Sequence, residues 1–195
     1  MKQRYALIST HDKSDLKKIC AILAKYQIKI ISTGATAKFI QSLGFECKKI
    51  SNLTKYKEIL DGRVKTIHPL VYASLLFKRK DQKHIKYFDK LNFPLIDFVI
   101  VNLYPFKKSI NSDLSDEEII EMIDIGGIGI LRSAAKNYKS VTSISDKKDY
   151  VKFINKIKKN NGKTSLIFRK TMASKVFKLS SSYDKLIANW IDVKS

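Results

Sequence analysis

Residues 5–51 read YALISTHDKSDLKKICAILAKYQIKIISTGATAKFIQSLGFECKKIS, and this stretch decides the fold. Apolar runs at 5–9 and 28–32 have the length and composition of short buried strands, and 47–51 is interpreted as a third strand. Between the first two, Leu16, Ile19 and Leu23 recur on one face of a helix that Ser14 or Asp15 is expected to cap. A second helix over 37–43 ends at Gly44, a good residue for leaving a helix. This β-α-β-α-β alternation predicts a parallel sheet with right-handed crossovers.

The rest of the chain continues the α/β pattern, and no linker or repeat divides it, so we predict a single domain over 1–195. A capping box at 115–118 starts a helix that is predicted to end near 123. The glycine pair after Asp124 is interpreted as a turn, and the segment 52–90 shows no clear regular pattern. The further predicted elements are strands at 95–101 and 141–144 and helices at 132–138, 149–159 and 164–191.

The net charge of +20 is the strongest compositional signal. It would suit a polyanionic partner, but lysine, not arginine, supplies most of it, and the lysines fall on solvated helix faces. We therefore do not expect a nucleic-acid partner. No secretory signal and no apolar run of membrane-spanning length is present, so we expect a cytoplasmic protein without membrane contact. Cys20 and Cys47 stand alone and are expected to be core thiols.

Two hydroxyl-rich turns follow the first two predicted strands. Residues 9–13 (STHDK) follow the first strand, and Thr33-Gly34-Ala35-Thr36 follows the second. Parallel strands end at one edge of a sheet, where ligands of α/β folds bind. Small residues and hydroxyls before a helix suit a phosphate group, although an ordinary tight turn would have the same composition.

Three further blocks carry the chemically useful side chains. Arg63, Lys65 and Thr66 lie together in the block 61–69, where they could hold an oxyanion or form a solvated loop. Asn102 and Tyr104 leave the most apolar strand in the block 102–106. The third block runs from Asp124 through Gly126 and Gly127 to the segment 132–137, which contains Lys136. The three histidines, at 11, 68 and 84, are not spaced for a metal site, so no metal is predicted.

In this order and spacing, the blocks closely resemble the inosine monophosphate (IMP) cyclohydrolase domain of the bifunctional purine-biosynthesis enzymes. The resemblance runs from Tyr5 to about Trp190. It implies a methylglyoxal-synthase-like α/β fold, three-layered, with a mostly parallel central sheet flanked by helices. It also implies closure of the purine ring of 5-formamidoimidazole-4-carboxamide ribonucleotide, with release of water and formation of IMP. It implies no cofactor.

The resemblance also assigns roles to individual residues. Lys136 matches the family's proton donor and acceptor, Tyr104 and Asp124 its relay partners, and Lys65 the group that stabilises the oxyanion. A plain ion pair between Lys136 and Asp124 is the alternative. The residues that match nucleotide contacts are Asp12, Lys13, Thr33, Gly34, Thr36, Arg63, Thr66, Asn102, Ile125, Gly126 and Gly127.

The chain departs from the family pattern at four places. His11 stands where the family usually has Ser, and Ala35 replaces a glycine. Tyr72-Ala73-Ser74 replaces His-Gly-Gly, and Ile128-Gly129 replaces Pro-Thr or Val-Thr. We expect these changes to alter affinity and loop geometry more than the reaction.

The transformylase domain that the family carries next is absent from these residues, so the chain is either a piece of a bifunctional protein or a cyclohydrolase kept as a separate chain. In the second case a separate transformylase chain is a candidate partner, and a second copy of this chain is another candidate. Three other functions compete with cyclohydrolase. Methylglyoxal synthase would leave the blocks 61–69 and 102–106 unexplained. A non-catalytic nucleotide-sensing domain would need the anion-binding turns but not Lys136 or Tyr104. A nucleic-acid binder would follow from the charge alone.

Overall fold

A five-stranded sheet organises the protein in the computed structural model, which describes residues 2–60 and 62–194. All of its strand pairings are parallel, in the order β3-β2-β1-β4-β5. The strands are β1 Arg4–Thr10, β2 Lys29–Ser32, β3 Cys47–Lys49, β4 Leu95–Asn102 and β5 Thr142–Ile144. The predicted parallel α/β fold is confirmed. Asp61, the first residue of the block 61–69, lies outside the described residues.

Helices connect the strands and cover both faces of the sheet. Their bounds are α1 Leu16–Lys25, α2 Gly34–Ser42, α3 Ile50–Thr54, α4 Pro69–Leu76, α5 Gln82–Lys90, α6 Phe106–Ser109, α7 Asp116–Glu121, α8 Ile125–Lys136, α9 Tyr150–Lys159 and α10 Leu166–Lys194. Ser115 and Glu118 form the predicted capping box of α7. Asp15 stands at the start of α1 but makes no side-chain cap; its carboxylate pairs with Lys18 instead.

The apolar core lies on the two faces of the sheet because successive strand residues point to opposite sides. Ala6, Ile8 and Phe98 face α1 and α9, whereas Leu7 and Val99 face α4 and α8. Both cysteines lie in the first of these cores, where burial raises the pKa of Cys20 to about 12 and that of Cys47 to about 11. Their assignment as core thiols is confirmed. Within the described residues, no helix combines the length and apolarity needed to cross a bilayer.

Three predicted elements are corrected by the structure. The segment 52–90 contains α4 and α5, which escaped prediction because α4 is apolar on all sides and α5 is largely charged. Strand β3 ends at Lys49, and the chain turns into α3 at once. Gly126 and Gly127 do not form a turn: they lie in the first turn of α8, which begins seven residues earlier than predicted.

An arginine cluster fixes the amino-terminal edge of the sheet. Asp97, 7% exposed at the start of β4, accepts from Arg79 Nη1 at 2.5 Å and pairs with Arg4 Nε. Both guanidinium groups also donate to main-chain oxygens, Arg4 to Gly162 and Arg79 to Ile96. Four segments that are distant in sequence, around residues 4, 79, 97 and 162, are thereby joined at this edge.

Replacing Asp97 by Ala is expected to destabilise the fold by about 3 kcal/mol, because two partly buried cations lose their shared partner. The control is Asp89→Ala, which removes an exposed ion pair with Lys2 and should cost less than about 1 kcal/mol. Urea denaturation measures both. Equal losses in the two variants would contradict the structural role of Asp97.

Candidate functional site

The carboxyl ends of β1 and β4 are held together by the side chain of Asn102. Thr10 and Asn102 are paired in the sheet register, so the chain leaves both strands at one point. The Asn102 Oδ1 atom accepts from the backbone N–H groups of His11, at 2.7 Å, and Asp12, at 3.0 Å. Its Nδ2 atom donates to the Asp12 carbonyl at 3.0 Å. This point is also where the strand order changes direction, the usual ligand position in such sheets.

Asp12 is fixed within the same turn. Its carboxylate accepts from the Ser14 amide at 2.8 Å and from the Ser14 hydroxyl, and it pairs with Lys147 Nζ at 3.1 Å. These contacts hold the pKa of Asp12 well below its usual range. Lys13 points its ammonium group back to the His11 carbonyl at 3.3 Å. The turn therefore presents a fixed carboxylate flanked by two lysines.

The second turn joins β2 to α2 and is tied to β1. Thr36 Oγ1 donates to the Thr10 carbonyl at 3.1 Å and accepts from the Thr10 amide at 3.3 Å. The Thr33 hydroxyl lies 3.1 Å from that of Ser9, and Thr33 begins α2 without a side-chain cap. Next to it, Gly34 has φ +28°, and a Cβ there would lie 3.2 Å from a Glu58 carboxylate oxygen. A carboxylate thus stands at the amino end of α2, where an anion is favoured.

The 55–68 loop, of which the structure describes 55–60 and 62–68, joins α3 to α4 and carries the predicted cations. It contacts α2 through Glu58 and α8 through Thr66. Arg63 forms a bidentate ion pair with Glu121 at the end of α7, with one Nε–Oε2 contact of 3.2 Å. Thr66 is 4% exposed, and its hydroxyl lies against Gly126: a Cβ on that glycine would come within 2.7 Å of it. His68 Nδ1 caps α4 by accepting from the Leu70 amide, so this histidine has a structural partner.

Asp124 is the N-cap of α8 and the most deeply placed carboxylate of the site. Its Oδ1 atom accepts from the Gly127 amide at 2.6 Å, and its own amide donates to the Tyr183 hydroxyl at 2.8 Å. Burial raises the pKa of Asp124, while the Gly127 N–H and the positive charge of Lys65 act against that rise. A Cβ on Gly127 would overlap the carboxylate. The glycine pair is therefore required by close packing against Asp124 and Thr66.

Tyr104 follows strand β4 and lies near the turn after β1. Its ring is 39% exposed and stands 5.0 Å from the His11 ring. It lines an open cavity of about 990 Å³ together with Asp12, Lys13 and Asn102. Tyr183 lines the cavity as well, and its hydroxyl contacts Asp124. Tyr183 therefore links the wall of the cavity to Asp124.

Lys136 does not join these residues within one chain. Asp124 caps the amino end of α8 and Lys136 ends the helix, twelve residues later, which corresponds to about 18 Å along the axis. Lys136 is exposed, and the next residue, Asn137, donates to main-chain oxygens of Leu75 and Phe77. The alternative of an Asp124–Lys136 ion pair is therefore wrong for a single chain. Ile125, 62% exposed, lies at the opposite end of the helix, beside the site.

Two of the departures from the family pattern compensate each other. A Cβ on Gly129 would lie 2.5 Å from the Tyr72 hydroxyl. A tyrosine at position 72 therefore fits because position 129 lacks a side chain. The other neighbours of the site that sequence patterns do not reveal are Glu58, Glu121, Lys147 and Tyr183, since each contacts a residue far from it along the chain.

Comparison with known proteins agrees with this architecture. The family model described as MGS-like domain matches residues 15–129. The chain belongs to the MGS-like domain family. Residues 134–195 match the model described as AICARFT/IMPCHase bienzyme. Strand β5 lies in this second segment and pairs with β4 of the first, so both matched segments contribute to one sheet.

Bifunctional purine biosynthesis proteins named PurH are similar over almost the whole chain. Identity is 48% to that of Clostridium perfringens (strain 13 / Type A), with 98% of this chain and 38% of the relative covered. It is 44% to the Fusobacterium nucleatum protein, with the same coverage. The chain thus spans less than two-fifths of these relatives. The crystal structure of ForH superposes with a TM-score of 0.84 and 27% identity, covering 95% of both chains.

Removing the Asn102 side chain is expected to open the turn after β1. In Asn102→Leu the His11 and Asp12 amides lose their acceptor, and hydrogen bonds of this kind contribute about 1 kcal/mol each. Amide hydrogen exchange at these two positions should accelerate roughly tenfold or more. Asn102→Asp keeps the acceptor and should retain most of the protection. Unchanged exchange in Asn102→Leu would contradict the clamp.

Proposed function

We propose that the chain is an IMP cyclohydrolase, which closes the purine ring of 5-formamidoimidazole-4-carboxamide ribonucleotide and releases water. The observation that carries the proposal is the contact of Thr66 with Gly126 at the amino end of α8, next to the Asp124 carboxylate, on which the positive charge of Lys65 acts. A cation, a half-buried carboxylate and the amino end of α8 are thus brought together. Support also comes from the AICARFT/IMPCHase match and from the purine-biosynthesis relatives.

The phosphoribosyl end of the substrate is assigned to the two turns of the sheet edge. Lys13 and the amino end of α2 at Thr33 and Gly34 supply positive charge and N–H donors for the phosphate. In this proposal the phosphate displaces the Glu58 carboxylate from its place at Gly34. Thr36 and Asn102 shape the turns, since their polar atoms already bond to main chain. Asp12, an acceptor fixed by Ser14 and Lys147, is placed toward the ribose.

The imidazole ring with its formyl and carboxamide groups is assigned to the region between the 55–68 loop and α8. Ring closure joins the carboxamide nitrogen to the formyl carbon, and the formyl oxygen then carries negative charge. The Lys65 ammonium and the N–H groups of the first turn of α8 stabilise that oxygen. Asp124 accepts a proton from the attacking nitrogen and returns it to the oxygen, which becomes a hydroxyl group. The formamido nitrogen then loses its proton and forms the ring C=N bond, while the hydroxyl takes up one proton and leaves as water when the C–O bond breaks. Holding both groups of one molecule together supplies much of the rate.

Arg63 and Tyr104 complete the enclosure. Arg63 exchanges the exposed Glu121 carboxylate for a group of the nucleotide, an exchange of low cost because exposed ion pairs are weak. Tyr104 covers the ring from the His11 side and relays protons to solvent. Ile125 is placed against the base as an apolar contact.

The pure chain is expected to convert the formylated ribonucleotide to IMP without any folate, and to transfer no formyl group to its precursor. Lys65→Ala should lower kcat roughly 10²–10³-fold, as the loss of an oxyanion donor does. The matched control is Lys57→Ala, an exposed lysine of the same loop, which should stay near wild type. Formation of IMP is followed by absorbance and chromatography. Tight binding of IMP without turnover would replace the proposal by a nucleotide-sensing function.

Variants of Lys136 test whether a second copy of the chain contributes to the active site. Because Lys136 and Asp124 lie at opposite ends of α8, a proton-transfer role for Lys136 requires a partner copy that brings its own Lys136 to the site. On that arrangement Lys136→Ala should lower turnover roughly 10²–10⁴-fold. Mixing it with Lys65→Ala should restore activity, since one site of each mixed dimer has both lysines.

Two outcomes would argue against that arrangement. Wild-type turnover in Lys136→Ala would remove this lysine from the mechanism. Inactive single variants that fail to complement each other after mixing would place both lysines on one chain, against the geometry of α8. The transformylase step that supplies the substrate is assigned to a protein region outside these residues, either a separate chain or a continuation of this one.

A further inference from the structure

The segment between α7 and α8 contains only residues 122–124, and it leaves main-chain groups without helical partners. Asp124 precedes the first residue of α8, so its N–H has no acceptor within that helix. The Tyr183 hydroxyl, which comes from α10 some sixty residues later, accepts this N–H at 2.8 Å. It also donates to the Met122 carbonyl at 3.3 Å. One phenol oxygen therefore bonds to main-chain groups at both ends of the segment.

Tyr183 is itself held firmly. It is 7% exposed, and its ring meets the Phe106 ring edge-on at 6.1 Å between centroids. The ring of Trp190, which follows Tyr183 on α10, also packs against Phe106: its centroid lies 5.9 Å from that of Phe106. Phe106 ends the block 102–106, which contains Asn102 and Tyr104. Helix α10 therefore connects the two blocks of the site through a single aromatic cluster.

We propose that Tyr183 is a positioning residue for Asp124: its hydroxyl fixes the Asp124 main chain and so aims the carboxylate at Lys65 and the substrate. This inference rests on the proposed function, in which Asp124 accepts a proton. The carboxylate has little freedom, because Oδ1 bonds to the Gly127 amide and Gly127 leaves no room for a side chain. A small rotation of the Asp124 main chain would break that bond and admit water.

The groups around Asp124 determine whether its pKa rises or falls when the Tyr183 hydroxyl is removed. Lys65 faces it from the 55–68 loop, the Gly127 amide from α8 and Tyr183 from α10, where Asp184 adds a second carboxylate near the phenol. Burial outweighs Lys65 and the amide and raises the pKa of Asp124. When Tyr183→Phe loosens the segment, water reaches the carboxylate and this rise shrinks. The pKa of Asp124 then falls toward its ordinary value.

The test compares Tyr183→Phe with Tyr26→Phe, which also removes one phenol oxygen bonded to a main-chain carbonyl, that of Lys158, far from the site. Carbon-13 NMR of the Asp124 carboxyl, assigned with Asp124→Asn, follows its titration. In Tyr183→Phe the midpoint should move down by roughly half a pH unit or more. The Asp124 amide should exchange its hydrogen roughly tenfold faster. Tyr26→Phe should change neither.

Kinetics separate positioning from general destabilisation. Tyr183→Phe should lower kcat roughly tenfold or more with little change in KM, and the acid limb of its pH profile should move down with the Asp124 titration. Urea denaturation verifies that both variants are folded at the assay temperature. An unmoved Asp124 titration, or a purely proportional loss of folded protein and activity, would overturn the proposal. Because the titration needs no substrate, this result is independent of whether the chain is a cyclohydrolase.

Discussion

The parallel pairing of β1 with β4 is the constraint on which the rest of the site depends. Its register sets Thr10 beside Asn102, and that pairing puts the Asn102 amide within reach of the next turn of the chain. The loops after β1 and β4 are therefore fixed relative to each other before any ligand binds. On the other side of β1, Thr36 ties the β2 turn to Thr10 in the same way. Two side chains thus hold the carboxyl ends of β1, β2 and β4 together.

Much of the fold was predictable because its information is local. Strands β1, β2 and β4 are largely buried, so they appear in the sequence as apolar runs, and the capping box of α7 has its signature in four residues. The glycine pair was misinterpreted because glycine serves both turns and close packing. Only the structure reveals that Asp124 and Thr66 leave no space for a side chain there. That error also hid the distance between Asp124 and Lys136. Because α8 is continuous from Ile125 to Lys136, the two residues lie at its opposite ends.

The partners of the site residues were not predictable because they come from distant segments. Glu121 for Arg63, Lys147 for Asp12 and Tyr183 for Asp124 are separated from their partners by 58 or more residues along the chain. No local pattern specifies such contacts. By contrast, Tyr72 and Gly129, each a departure from the family, become intelligible together once they are seen in contact.

The chain's positive charge has two roles: arginines make fixed structural contacts, and most lysines lie on solvated surfaces. Arg4 and Arg79 hold Asp97 beneath the sheet, and Arg169 donates to three main-chain oxygens at the same edge. The lysines of α9 are exposed, at positions 152, 156, 158 and 159. Arginine, with its planar fork of donors, is used for fixed geometry. The net charge of +20 is thus largely a property of solvated surfaces.

The most direct test of the proposed site is an NMR titration of the ¹⁵N-labelled chain with IMP. Binding at the sheet edge predicts the largest shifts at the amides of Asp12, Gly34, Gly126 and Gly127. The amides of α9, remote from this edge, should stay unchanged. Largest shifts among the lysines of α9, with Gly34 and Gly126 unaffected, would contradict the placement of the ligand at the carboxyl ends of β1, β2 and β4.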